Sequence, residues 1–117
     1  MNVEELIIYN HYTELIYYTE DILKKYPKVE RYSLITDIKN TTYEEIKCII
    51  YAYRTYKKEE KIKFLFKLDS ELKFLKVLIR ISYKNKYISS KNYSAWSKKI
   101  FNVCNLLGGW IKSCQKV

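Results

Sequence analysis

Four basic side chains recur at spacings of three and four residues between positions 73 and 84 of this 117-residue chain. Residues with that spacing lie along one face of a helix. A row of positive charge attracts phosphate groups and releases their counterions, and it does so without reading bases. We therefore predict a polyanion-binding surface formed by Lys73, Lys76, Arg80 and Lys84.

The residue types that catalysis uses most often do not form a recognisable constellation. His11 is the single histidine, so no pair of a histidine with a nucleophilic serine or cysteine is indicated. Adjacent glutamates occur at 4–5, 44–45 and 59–60, but neighbouring residues on a helix point about 100° apart and cannot converge on one reacting atom. We interpret them as solvated helix faces or as partners of a helix dipole. We predict that the chain is not an enzyme by itself.

No metal or cofactor site is predicted either. The three cysteines, Cys48, Cys104 and Cys114, are odd in number and far apart, which argues against a disulfide framework. No C-x-x-C motif occurs, and His11 lies far from the cysteines in sequence. Zinc is therefore not expected, and no glycine-rich phosphate loop suggests a nucleotide cofactor.

The composition favours one domain, spanning 1–117, made of long helices. Apolar residues make up 48% of the chain and charged residues 30%, which suits a packed core. Two glycines and one proline are too few for the many turns of an all-β domain. No stretch approaches the roughly 18 apolar residues of a membrane span, and no secretory signal is visible. We expect a cytoplasmic protein that does not bind a membrane.

The chain carries a formal net charge of +9. Such a charge favours phosphate-rich partners. An alternative stays open, because lysine, isoleucine, tyrosine and asparagine are all enriched, as happens when an AT-rich genome biases composition. The alternative is a purely structural or regulatory helical bundle with no nucleic-acid role. Its positive charge would reflect only the biased composition.

Apolar residues at helical spacing predict four helices, at about 3–25, 29–54 and 58–83, and from Ser89 or Ser90 to about 114. Pro27 is expected to end the first helix. Four helices of this length joined by short links predict an antiparallel up-down four-helix bundle. The clearest core stripes are Leu65, Leu68, Leu72, Leu75 and Ile79 on the third helix, and Trp96, Ile100, Val103, Leu107, Ile111 and Cys114 on the fourth.

Two features suggest contacts beyond a single bundle. Phe66, Val77 and Ile81 lie beside the basic row, on a face that a simple bundle would leave in water. Gly108 and Gly109 interrupt the fourth helix pattern, where each costs roughly 1 kcal/mol relative to alanine. Close approach of another helix or a neighbouring subunit would offset that cost, and a local kink is the alternative. We predict these five residues as a subunit interface.

Several short motifs resemble the accessory variability determinant (Avd) proteins of diversity-generating retroelements, which are small, basic four-helix bundles. The motifs are Tyr12, the segment Tyr26-Pro27-Lys28, the pattern Arg31-Tyr32-x-Leu34, and the carboxy-terminal run from Leu106 to Ile111, which reads L-L-G-G-W-I. The last is similar to the L-G-x-W-I ending of the family. The resemblance extends over nearly the whole chain.

The resemblance implies a specific role. Avd-like proteins form a ring-like homopentamer and associate with the reverse transcriptase and template RNA of the retroelement. They support synthesis of a cDNA in which template adenines are miscopied, and they perform no chemistry themselves. Basic residues on the third helix that matter for partner binding correspond here to Lys76 and Arg80. The partners expected are thus the reverse transcriptase, RNA, possibly DNA, and further copies of the chain.

A related group, the four-helix protein encoded in 23S rRNA intervening sequences, shares the segment from Pro27 to Leu34. That group continues with R-A-A-x-S-I-P-x-N-I-A-E-G, whereas residues 39–46 here read K-N-T-T-Y-E-E-I. This departure favours the Avd-like interpretation, and the rRNA-type protein stays an alternative.

Overall fold

The computed structural model describes residues 6–116, and within them the chain forms four α-helices and no strand. The predicted all-α architecture is therefore confirmed, and its assembly into a ring stays a prediction. None of these helices is long and apolar enough to cross a membrane. The helices are α1 at Ile7–Leu23, α2 at Leu34–Arg54, α3 at Lys58–Lys84 and α4 at Ser90–Gln115, with a short 3-10 turn at Lys28–Glu30.

Short links make consecutive helices antiparallel. α3 has 27 residues, which is about 40 Å at the rise of an α-helix, and the links 55–57 and 85–89 are too short to return across that distance. α4 packs back along α1, because Tyr18 Oη lies 3.3 Å from the carbonyl oxygen of Asn92 while His11 lines a cavity with Asn102. The molecule measures 47 × 25 × 22 Å, the shape of a four-helix bundle.

The predicted core stripes of α3 and α4 meet along the bundle axis. All five predicted residues of α3 are buried, and Trp96 is fully buried at the start of the α4 stripe. Ile111 and Cys114, in the last turns of α4, are only half-buried. Burial of this much aliphatic and aromatic surface is the main force that stabilises the bundle.

The link between α1 and α2 differs from the prediction, which began the second helix at residue 29. The helix begins at Leu34 instead, because Ser33 adopts a non-helical backbone conformation. Glu30 stabilises this arrangement: its carboxylate accepts hydrogen bonds from the Ser33 hydroxyl at 2.5 Å and from Tyr87 Oη at 2.7 Å. These hydrogen bonds lower the pKa of Glu30 and join the first link to the α3–α4 link.

The α3–α4 link begins with a Schellman motif. Lys86 N–H donates to the carbonyl of Tyr83 at 3.0 Å, and Tyr87 N–H donates to the carbonyl of Ser82 at 3.0 Å. Lys86 has a positive φ of 63°, the left-handed conformation that glycine adopts most readily. Ser89, directly before α4, is its N-cap, because its Oγ accepts a hydrogen bond from Asn92 N–H at 3.0 Å.

One of the adjacent glutamates does not lie on a solvated face as predicted. Glu45 is fully buried between helices, whereas Glu44 lies at the surface and contacts lysines. α2 packs most extensively against α3 and also contacts α1, where the buried Tyr12 hydrogen-bonds to Glu45. The buried face of α2 includes Glu45, Cys48 and Ala52, while the neighbouring Ile46 is half-buried.

Candidate nucleic-acid interface

The two central residues of the predicted basic surface lie on the edge of α3 that faces α4. Lys76 and Arg80 line a groove between α3 and α4, together with Tyr93 and Ser97 of α4. The groove has a volume of about 110 Å³ and its floor is apolar, formed by Ile79 and Ile100. The helical spacing that suggested the site thus places these two cations on one side of α3.

The four predicted cations differ in how freely their charge is available. Lys73 Nζ lies 2.5 Å from Asp69 Oδ2, one turn earlier on α3, so its charge is largely compensated. Within residues 6–116, no carboxylate lies within 4.0 Å of Lys76, Arg80 or Lys84. All four side chains are exposed. The uncompensated charge is therefore concentrated in the last two turns of α3 and the turn before them.

The opposite edge of α3, which faces α2, is electrically different. Lys67 Nζ lies 3.2 Å from Glu44 Oε2, and Lys47 Nζ lies 3.2 Å from Glu44 Oε1. Hydrogen bonds to these two lysines lower the pKa of Glu44. A carboxylate shared by two lysines reduces the attraction of the surface around Glu44 for a polyanion, whereas Lys76, Arg80 and Lys84 have no such partner in the described part of the chain.

Acidic side chains are unevenly distributed along the chain. Glu71 is the last acidic side chain, and no aspartate or glutamate follows it in the sequence. The second half of α3 and the whole of α4 are thus purely basic. The absence of acids beyond Glu71 is thus a signal of the basic surface that the sequence itself carries. The ten cations after Glu71 are Lys73, Lys76, Arg80, Lys84, Lys86, Lys91, Lys98, Lys99, Lys112 and Lys116.

A row of apolar side chains on α3 is exposed beside the basic edge. Phe66 is 49% exposed, Val77 47% and Ile81 43%, in agreement with the prediction that this face is not part of the core. Phe74, which was not predicted, belongs to the same surface and is 48% exposed. Apolar side chains on four turns of one helix form the kind of surface that marks a protein contact.

The two glycines of α4 are not required by a close approach within the described chain. Apart from the adjoining residues and the backbone of α4 itself, no atom of the described residues lies within 4 Å of the position that a Cβ would take at Gly108 or Gly109. α4 continues through both without a break in its helical hydrogen bonding. Close packing against another helix of the same chain is thus not observed, and contact with a neighbouring subunit stays a prediction.

The sequence was compared with models of known protein families. A sequence model of the family described as bAvd-like matches residues 6–114. The chain belongs to the bAvd-like family. The match confirms the resemblance to Avd proteins and makes the chain an Avd-like protein, a non-catalytic accessory kind of protein associated with diversity-generating retroelements. No curated protein matches the chain.

A second feature of this Avd-like surface was missed in the sequence. The rings of Tyr83 on α3 and Tyr93 on α4 are stacked, with centroids 4.5 Å apart and an angle of 9° between their planes. Tyr83 lies one turn beyond Arg80, on the same side of α3. Thirteen tyrosines dilute this signal in the sequence, and the pairing depends on how α3 and α4 dock.

The described part of the Avd-like chain holds no group of three or more histidine, cysteine or acidic side chains placed to bind a metal ion. Cys48 is buried, and Cys104 and Cys114 are half-buried. Burial raises the pKa of the Cys48 and Cys104 thiols, which makes both poorer nucleophiles and poorer metal ligands at neutral pH.

Proposed function

We propose that this Avd-like protein is the accessory protein of a diversity-generating retroelement. It binds the template RNA and the cDNA of the element through the basic α3–α4 surface. It also binds the reverse transcriptase and supports synthesis of cDNA in which template adenines are miscopied. The chain acts as a homo-oligomer, with the ring-like pentamer of related proteins as the expected assembly.

The observation that carries the nucleic-acid role is the uncompensated positive charge at Lys76, Arg80 and Lys84. Cations without an acidic neighbour attract phosphates and release condensed counterions when they bind. Because every charged residue after Glu71 is basic, a polyanion that follows the α3–α4 edge meets no repulsive carboxylate on these segments. The family match supports the same role, since the related proteins act beside an RNA template.

The exposed apolar row on α3 supports assembly. We propose that Phe66, Val77 and Ile81 contact a second copy of the chain. Gly108 and Gly109 on α4 complete this interface, because the open space above them allows the backbone of another subunit to approach closely. Burying the apolar row would remove it from water, at about 25 cal/mol per Å² of apolar surface.

The nucleic-acid role is tested by measuring binding to a structured RNA across a salt series. The variants are Lys76→Ala with Arg80→Ala, and a matched control, Lys39→Ala with Lys47→Ala. The control removes two lysines that are paired with Glu20 and Glu44 on the other side of the bundle. Each lost phosphate contact reduces the slope of log affinity against log salt by about one unit, so the first double variant should reduce it by about two.

The control should keep nearly the wild-type slope, although it loses the same formal charge. Equal slopes for the wild type and the Lys76→Ala, Arg80→Ala variant would contradict the proposed site. Light scattering on each variant shows whether the oligomer is intact, so that a loss of avidity through dissociation is not mistaken for a lost contact.

Assembly is tested separately with Val77→Lys and Ile81→Lys, which place charge in the apolar row. We expect a lower mass in light scattering with unchanged helical content by circular dichroism. Tyr17→Lys, at an exposed position on α1, is the control and should not change the mass. Co-purification of the reverse transcriptase of the same element with each variant then shows whether the enzyme needs the assembled form.

A further inference from the structure

The stacked tyrosines form a flat aromatic surface beside the free cations. Tyr93 is half-buried against α3 and supports Tyr83, which is 39% exposed at the end of the helix. One face of the Tyr83 ring lies on Tyr93, and the parallel arrangement fixes its plane. A third planar ring could extend this stack on the outer side of Tyr83 without any change in the fold.

The surroundings of the pair suit a nucleotide and not merely an apolar group. Lys76, Arg80 and Tyr83 are spaced by four and three residues and therefore share one side of α3. Lys76 and Arg80 line the groove whose wall includes Tyr93. A nucleotide whose base lies on Tyr83 has its phosphates within reach of these cations, because adjacent turns of a helix are about 5.4 Å apart.

We infer that Tyr83, supported by Tyr93, stacks an unpaired nucleobase, so that this surface binds single-stranded segments of nucleic acid in preference to duplex. The inference rests on the proposed function and adds the class of strand that the site takes. Bases within a duplex are already stacked and offer only their edges, whereas an unpaired base offers a whole face.

The other aromatic pair at the α3 surface lacks these properties. Tyr51 and Phe64 meet at 62° with centroids 5.5 Å apart, so neither ring supports the other in a parallel stack. That pair also lies on the α2 side of α3, where Glu44 compensates Lys67. Tyr51 is 48% exposed and therefore provides a matched control for an accessible tyrosine without a stacking role.

The experiment compares three RNA probes of equal charge by fluorescence anisotropy: a single strand of about ten nucleotides, the same strand with abasic sites, and a hairpin duplex. Stacking of one base on an aromatic side chain changes affinity by roughly 5- to 150-fold. We expect the wild type to bind the intact single strand more tightly than the abasic strand or the hairpin by a factor in this range. This arm uses the unmodified protein and does not depend on any variant folding.

The protein variants are Tyr83→Leu, Tyr83→Phe and Tyr51→Leu. Tyr83→Leu should lose the preference for the intact single strand and keep the wild-type salt slope, because phosphate contacts remain. Tyr83→Phe keeps the ring and should keep the preference, and Tyr51→Leu should behave as the wild type. Circular dichroism and the thermal midpoint show that each variant is folded.

Three results would overturn the inference, and they show whether the proposed function fails with it. If the wild type binds all three probes equally while the Lys76→Ala, Arg80→Ala variant weakens binding, the proposed function stands and the stacking site is wrong. A preference that survives in Tyr83→Leu has the same meaning. If the wild type binds none of the probes at low salt, the proposed function and the stacking site both fail.

Discussion

The phenol of Tyr12 on α1 donates a hydrogen bond to the carboxyl group of Glu45 on α2, and both side chains are fully buried. The Tyr12 Oη also lies 3.1 Å from the carbonyl oxygen of Thr42. The second carboxyl oxygen of Glu45 has no hydrogen-bond partner among the described residues. Burial raises the pKa of Glu45 to about 8, with a further contribution from the charge of Glu71, while the hydrogen bond from Tyr12 lowers it.

A neutral Glu45 in the core makes stability depend on pH. Between the ordinary glutamate pKa of 4.5 and about 8, the folded protein holds a proton on Glu45 that the unfolded chain has released. Stability must then fall as pH rises through this range, by at most about 1.4 kcal/mol per pH unit. Glu45→Gln, which cannot ionise, should remove this dependence. At pH 5 the wild type and Glu45→Gln should have similar free energies of unfolding. At pH 8 the free energy of unfolding should be higher for Glu45→Gln than for the wild type.

The measurement is urea unfolding of both proteins from pH 5 to pH 9. Glu44→Gln is the control, because Glu44 is at the surface and its pKa is lowered, not raised. A constant difference between the wild type and Glu45→Gln across the whole range would show that Glu45 does not titrate within it.

The indole of Trp96 provides a second test of the core. Its Nε1–H donates to Thr19 Oγ1 at 3.0 Å across the α1–α4 contact, and both residues are buried. Thr19→Val keeps the volume and removes the acceptor, so an unsatisfied donor should cost about 1–3 kcal/mol in urea unfolding. Thr13→Val is the control, because the Thr13 hydroxyl bonds only a neighbouring backbone carbonyl at the surface. Equal costs for the two variants would contradict this account.

Lys86 combines a strained backbone with a charge in the basic loop. Its φ of 63° costs a residue with a Cβ about 1 kcal/mol relative to glycine. Lys86→Gly should therefore raise the free energy of unfolding by about that amount, whereas Lys86→Ala should not. If Lys86 contacts phosphate, both variants should lower the salt slope of RNA binding equally. Thermal unfolding and the salt series separate the two effects, and equal stabilities of Lys86→Gly and Lys86→Ala would show that the backbone is not strained.

In the wild type, Asp69 neutralises part of the positive charge of Lys73, and this should weaken RNA binding. Asp69→Asn removes the partner that lies 2.5 Å from the Lys73 ammonium and leaves that cation free. We expect tighter RNA binding at low salt and an increase of up to about one unit in the salt slope. Asp21→Asn is the matched control, because it frees Lys24 at the end of α1, away from the α3–α4 edge. An equal gain in both variants would indicate that only net charge matters.

Substitution of Gly109 should affect the stability of the bundle and its assembly in opposite directions. Because no described atom lies within 4 Å of an added Cβ, Gly109→Ala should stabilise the isolated helix bundle by about 1 kcal/mol. If a second subunit packs on this face, the same methyl group should weaken the oligomer. We expect a higher thermal midpoint under dissociating conditions and a lower mass by light scattering. An unchanged mass would remove Gly109 from the proposed interface.

Much of the fold was predictable because helical periodicity is a local property. The four helices, the buried stripe of α3 and the Ser89 cap all follow from residues close together in sequence. The start of α2 was predicted five residues too early, because Glu30 forms hydrogen bonds with Ser33 and with the distant Tyr87. A long-range contact of this kind leaves no periodic signal.

The candidate site also has features that the sequence predicts and features that depend on tertiary packing. The sequence by itself determined that one face of α3 is basic and another is apolar and exposed, since side-chain spacing on a helix sets both. Only the tertiary structure decided that Glu45 is buried, that Glu44 compensates the α2 edge, and that Tyr83 stacks on Tyr93. These relationships join residues on different helices. They depend on which face of each helix packs against which neighbour, and that choice is made by the summed burial of the whole core.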